Sequence, residues 1–169
     1  CMLDALNNLR QAHNFLTEHV TDTQIEELVH AAAVAPSSNE LHPCHFVIVR
    51  ERELLDKLAK ATPLAAPLKT APTAILICVS DQETQEWVED AAMAAALLAA
   101  QASSMGLSAS IIQFRGHENR EGNAEDYVRQ LASIPDDMRV FCAIGVGKPA
   151  DEGKASLPLS QERVHRERW

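Results

Sequence analysis

A chain of 169 residues with 46% hydrophobic side chains fits one domain, spanning 1–169, with a full core and no long disordered stretch. A formal net charge of -9 argues against a nucleic-acid partner, because phosphate contacts require clustered Lys and Arg. Four cysteines without a CxxC pair exclude a disulfide framework and point to a reducing cytoplasm; no leader-like segment opens the chain, and the apolar stretch 91–102 is too short and alanine-rich for a membrane span.

Leu3, Leu6 and Leu9 recur at helical spacing and predict a short first helix ending near His13. Thr21-Asp22-Thr23-Gln24 has the form of a capping box, and Ile25, Leu28, Val29 and Ala32 continue it as a one-sided helix that Pro36 stops. A Pro-Ser-Ser turn follows, then a strand over 46–49 and a helix over 51–61. The stretch TPLAAPLKTAP, with Pro63, Pro67 and Pro72, reads as a loop or broken helix able to serve as a lid. An uninterrupted apolar run over 74–79 predicts a central strand. Ser80-Asp81-Gln82-Glu83 is a second capping-box pattern, and the helix it opens would reach Met105, with Gly106 as its stop. Such a helix is about 37 Å long. Its second half, AAMAAALLAAQASSM, is apolar nearly all round, so a partner subunit is its natural cover and a homodimer is expected. A third strand over 108–114, a polar loop, a short helix over 126–132 with Tyr127, Val128 and Leu131 inward, and a fourth strand over 139–146 complete the body. The tail from Lys148 ends in Trp169, which is expected to pack against something. The GxGxxG fingerprint and the Walker A loop are both absent.

Three stretches in order carry a resemblance. APSSNELHPCHFVIV, the Asp90-Ala91-Ala92 helix with SMGLSASII, and LASIPDDMRVFCAIGVGKPADEG together resemble the nitroreductase family, and the tail ASLPLSQERVHRERW is similar to family tails. The resemblance implies an α+β fold, a three-layer α/β/α sandwich around a central mixed sheet. It also implies a homodimer with FMN at the interface, each flavin touched by both subunits. The implied activity is ping-pong electron transfer from NAD(P)H through flavin to a nitro, quinone or related small acceptor. The flavin carries the reactive atom, so neither a protein nucleophile nor a metal is required.

By the same resemblance, Pro36, Ser37, Ser38 and Glu40 would meet the flavin's polar edge or ribityl chain, and Arg10, Gln11, His13, Lys154 and Ser156 its phosphate. The phosphate set departs from the family's pattern. Leu9 and His13 stand where fixed cations are common, Gln11 where serine is, and Ser156 where an arginine is. Phosphate binding is therefore expected to be weak or pH-sensitive, with His13 contributing most when protonated. Glu40 occupies a position where asparagine is common. Its carboxylate could accept from a flavin N–H or turn to solvent, and both readings stay open. The thinned cation set also motivates a rival from another class, a catalytically silent dimer that binds flavin or another small ligand. His42, Cys44 and His45 lie too close in sequence for an ordinary zinc pair, because neighbours on a strand point to opposite faces. A pocket for the acceptor is expected between the stretches 62–72 and 113–125.

Overall fold

A computed structural model describes residues 2–151 and 160–169. Its elements in chain order are α1 (Met2–Asn7), α2 (Asp22–Ala33), β1 (His45–Val49), α3 (Arg52–Leu58), β2 (Thr73–Val79), α4 (Trp87–Ser104), β3 (Ser108–Gln113), the hairpin strands β4 (Glu118–Asn119) and β5 (Gly122–Asn123), α5 (Ala124–Leu131) and β6 (Arg139–Gly147). The main sheet has the order β1-β2-β6-β3. All three of its strand pairs are antiparallel, so the parallel pair that a mixed sheet requires is not among the described residues.

Alternation along β2 explains the layers. Ile75, Ile77 and Val79 face the helices α2 and α4 with Leu28, Ala94 and Leu98. Ala74, Leu76 and Cys78 face the opposite layer, where Leu55 of α3, Val128 of α5 and Leu68 pack. Both faces are thus covered, and every residue of β2 is buried, which accounts for its continuous apolar run. Helix α2 begins where its capping box predicts: the Thr21 hydroxyl accepts from the Gln24 N–H at 3.2 Å, and the Gln24 side chain accepts from the Thr21 N–H at 2.9 Å.

Two expectations are corrected. Helix α1 stops at Asn7, because distant groups take up the backbone of the following residues, as described below. Helix α4 starts at Trp87, not Ser80. Ser80 closes a turn instead, its carbonyl accepting from the Glu83 N–H and its hydroxyl from the Gln82 N–H, and the 18-residue helix spans about 27 Å. The proline-rich stretch forms the broken helix expected, a 3-10 helix (Pro63–Lys69) interrupted by Pro67. Ala65, Leu68 and Ala71 are buried, and the Arg52 guanidinium donates to the carbonyls of Ala71 (3.0 Å) and Leu68 (2.6 Å). Trp169 also departs from expectation: it is fully exposed and, among the described residues, stacks on His165 at 4.3 Å.

Candidate functional site

The segment between α1 and α2 runs in an extended course beside β3, an edge strand of the sheet. Two serines on β3 seat it. The Ala12 N–H donates to Ser108 Oγ at 2.9 Å, Ser108 Oγ donates to the Arg10 carbonyl at 2.7 Å, and Ser110 Oγ donates to the Ala12 carbonyl. Asp151 fixes the far end, accepting from the N–H groups of His13 (3.2 Å) and Asn14 (2.8 Å). These partners satisfy the backbone that helix α1 would otherwise have used.

With Ala12 buried, the flanking Gln11 and His13 turn outward. They share an open cleft of about 340 Å³ with Leu9 and Arg10. One Arg10 nitrogen, Nη1, is tied to the Asn7 carbonyl at 3.1 Å, and the other guanidinium nitrogens make no hydrogen bond among the described residues. A second cleft of about 340 Å³ adjoins it, walled by Gln11, His13, Pro63, Leu64, Pro67 and the 110–113 stretch of β3. Lys154 and Ser156 lie outside the described residues.

The Pro36-Ser37-Ser38 turn sits elsewhere. Asn39, Glu40 and His42 all adopt left-handed backbone, with φ of 52°, 57° and 47°. Such a cluster of non-glycine residues persists only where its surroundings hold it. Ser37 Oγ accepts from the His42 N–H at 2.8 Å, which closes the turn. Asp90, buried in the first turns of α4, accepts from the Ser38 N–H at 2.7 Å and from Ser38 Oγ at 3.1 Å. Both serine hydroxyls are therefore partly committed. Ser37 keeps its O–H for donation, and Ser38 keeps acceptor capacity only. Pro36 and Glu40 are exposed.

The structure does not bring the two halves of the predicted site together within one protomer. Ser38 is anchored at Asp90, whereas Arg10 shares a hollow with Ser103 and Gly106 at the other end of α4. Asp90 and Ser103 are thirteen residues apart, about 20 Å along the helix. Between them, Ala92 and Ala96 of α4 are exposed, and Met93, Leu97 and Ala100 are half-buried.

The stretches 62–72 and 113–125 do meet. They enclose a cleft of about 580 Å³ lined by Thr62, Pro63, Lys69, Tyr127 and residues 118–121, with Lys60 at its edge. Thr62 Oγ1 is buried there without a hydrogen-bond partner among the described residues.

Sequence reasoning missed the polar groups that hold the scaffold. Arg139 makes a two-point contact with Glu125 (2.8 and 2.9 Å), reaches Asp81 at 3.1 Å, and lies 4.9 Å from the centre of the Trp87 ring. These groups come from different elements, so no spacing announces them. Asp90 did carry a signal: it falls three residues after Trp87 and four before Ala94, both buried, and so on the inward face of α4. Cys44 gains no nucleophilic character, since burial first and the Asp90 carboxylate second push its thiol up to about 11. Burial likewise pushes the Cys78 thiol up to about 12. Among the described residues no three His, Cys, Asp or Glu side chains gather as a metal site would need, and no helix is long and apolar enough to cross a membrane.

An antiparallel sheet between two helical layers, with a guanidinium, a carboxamide and an imidazole lining an open cleft at its edge, defines a small α+β scaffold. The sequence model of the nitroreductase family matches residues 10–67. A protein of Methanothermobacter thermautotrophicus named "Putative NADH dehydrogenase/NAD(P)H nitroreductase" is 31% identical over 99% of this chain and 87% of its own length. One of the same name from Archaeoglobus fulgidus is 29% identical over 95% of this chain and 94% of its own. Among solved structures, the FMN-dependent nitroreductase of Clostridium difficile R20291 superposes with a TM-score of 0.93 at 28% identity, covering 99% of each chain. The chain belongs to the nitroreductase family.

Proposed function

We propose that this chain is an FMN-dependent oxidoreductase that carries electrons from NAD(P)H to a nitro, quinone or related small acceptor, and that it works as a homodimer. The observation that carries this reading is the separation of the two half-sites by about 20 Å along α4, with an uncovered apolar helix face between them. In a two-fold dimer the same patch meets itself. If the exposed Ala92 and Ala96 faces of two α4 helices pack antiparallel, the Ser38 end of one subunit comes beside the Arg10 end of its partner. Each flavin would then rest on residues 10–13 of one subunit and 36–40 of the other. Alanine at the contact lets the helix backbones approach closely.

The donor set fits the cofactor. Arg10, Gln11 and His13 offer side-chain donors to a phosphate from one open cleft, with Lys154 and Ser156 assigned to the same group. The adjoining cleft, walled by Pro63, Leu64, Pro67 and Ile112, is apolar enough for a planar ring. When bound, the flavin supplies the redox chemistry, taking electrons from the nicotinamide and giving them to the acceptor in alternation. The protein's residues bind, orient and exclude water. The Ser37 O–H is a free donor for the ring edge, and the cleft between residues 62–72 and 118–127 admits the acceptor. Free thiols at Cys44, Cys78 and Cys142 suit a reducing cytoplasm.

Purified protein tests the reading. It should bind FMN, turn yellow, and bleach anaerobically on addition of NADH or NADPH. Protein that takes up FMN but never bleaches would favour the silent binding dimer, and protein that ignores FMN would overturn both readings.

A further inference from the structure

We propose that Asp90 is the positioning residue of the flavin site: its buried carboxylate clamps the Pro-Ser-Ser turn to α4 and so sets the geometry of the edge that the turn presents. The inference rests on the flavin reading above. Asp90 is 1% exposed and has no cationic partner among the described residues. A buried carboxylate without a cation is costly and must be met by hydrogen bonds. Its partners are the Ser38 N–H (2.7 Å), Ser38 Oγ (3.1 Å) and, at the limit of contact, Thr84 Oγ1 (3.4 Å), with the positive end of the α4 dipole adding to them. Two of these three bonds go to one residue of one turn.

Packing alone does not call for a carboxylate here. The inward positions that follow on the same helix are Ala91, Ala94 and Ala95. An alanine at position 90 would match the small inward side chains of the helix but would leave the half-buried Ser38 N–H without this acceptor. The turn's internal bonds run from the His42 N–H to Ser37 Oγ and from the Glu40 and Leu41 N–H groups to the Ser37 and Ser38 carbonyls; they close it on itself, and Asp90 ties it to α4 while Asn39, Glu40 and His42 stay left-handed. Releasing Ser38 frees the turn to relax toward ordinary backbone. That movement redirects the Ser37 O–H and the Glu40 side chain, the groups assigned to the flavin's edge. Asp90 therefore acts through Ser38 and need not touch the flavin.

The test is Asp90→Asn in the full chain, alone and combined with Ser38→Ala. FMN dissociation constants come from flavin fluorescence, with the visible absorption spectrum of bound flavin and the melting temperature measured alongside. Both Ser38 bonds converge on one carboxylate oxygen, and asparagine removes the charge that strengthens them, so FMN should bind about tenfold more weakly with a shifted flavin band. The double variant should lose less than the two single losses combined, because both changes act on the same Ser38–Asp90 contact. A lower melting temperature with wild-type affinity and spectrum would overturn the proposal, as would strictly additive losses. If Asp90→Asn fails to fold, Ser38→Ala alone decides: about threefold weaker binding supports the clamp and unchanged binding refutes it. Wild-type protein that takes up no FMN would refute the flavin reading and the clamp together, whereas wild-type uptake with an indifferent Asp90→Asn refutes only the clamp.

Discussion

Glu125→Gln should cost about 3 kcal/mol of folding stability, a figure that follows from one buried contact. Glu125 lies in the first turn of α5 with its side chain 5% exposed. It accepts from Arg139 Nε at 2.8 Å, Arg139 Nη2 at 2.9 Å and the Val140 N–H at 3.0 Å. Glutamine keeps the size and one acceptor, so the Val140 N–H can still be met. One Arg139 bond becomes a donor facing a donor, and the charge attraction is lost. Removing one partner of a buried pair costs about 3–5 kcal/mol. Arg139 is one-third exposed and retains Asp81, which places the loss at the low end. For a chain of this size each kcal/mol moves the melting temperature by about 2–4 °C, so calorimetry should find a drop of about 6–12 °C.

The pH dependence has a definite sign. Burial pushes the Glu125 carboxyl up, but the Arg139 hydrogen bonds, the Val140 N–H and the neighbouring guanidinium charges outweigh it and hold the group below its ordinary 4.5. Its stabilisation is thus present above pH 4.5 and is lost as pH falls below that value toward the folded-state pKa. The gap between wild type and Glu125→Gln should narrow on acidification through that range. A gap under about 1 kcal/mol at neutral pH, or one that stays constant down to about pH 3, would refute the reasoning from this contact.

Gly147→Ala should destabilise by about 1–3 kcal/mol in urea titrations, because its Cβ would lie 2.7 Å from Pro72 Cδ and 3.2 Å from the Phe15 ring. Gly145→Ala meets the Leu68 Cδ2 methyl at 3.1 Å and the Ala71 Cβ at 3.3 Å, both looser than the Pro72 contact, and should cost less; equal costs would contradict this reading of the contacts. Ala96→Glu places a charge in the middle of the exposed α4 face. It should yield folded monomers, seen by sedimentation and circular dichroism, that no longer hold FMN; a flavin-loaded monomer would sink the shared site.

Locally encoded features were legible. The Thr21–Gln24 box begins α2 because both partners lie within one turn, and the apolar run of β2 announces a strand covered on both faces. What escaped the sequence depends on distant residues. Leu3, Leu6 and Leu9 continue a helical period that the chain abandons at Asn7, because Ser108, Ser110 and Asp151, 96 to 138 residues on, claim the backbone of residues 10–14. The prolines at 63, 67 and 72 suggested looseness, yet Arg52 fastens their carbonyl ends from another helix. The segment 10–13 and the turn 36–38 are candidates from motif resemblance alone. Their separation within a protomer was not visible, because it depends on which end of α4 each one meets.

A subunit-mixing experiment distinguishes a flavin held between two chains from one held within a single chain. One variant carries Gln11→Glu and His13→Glu, which repel a phosphate; the other carries Ser37→Trp, which blocks the turn. Each homodimer should be colourless. Unfolded together and refolded as mixed dimers, they should regain one FMN per dimer, because each mixed dimer then pairs an intact 10–13 segment with an intact turn across the interface. Mixed dimers that stay colourless while wild-type protein refolded alongside binds FMN would show that the two half-sites do not meet between subunits.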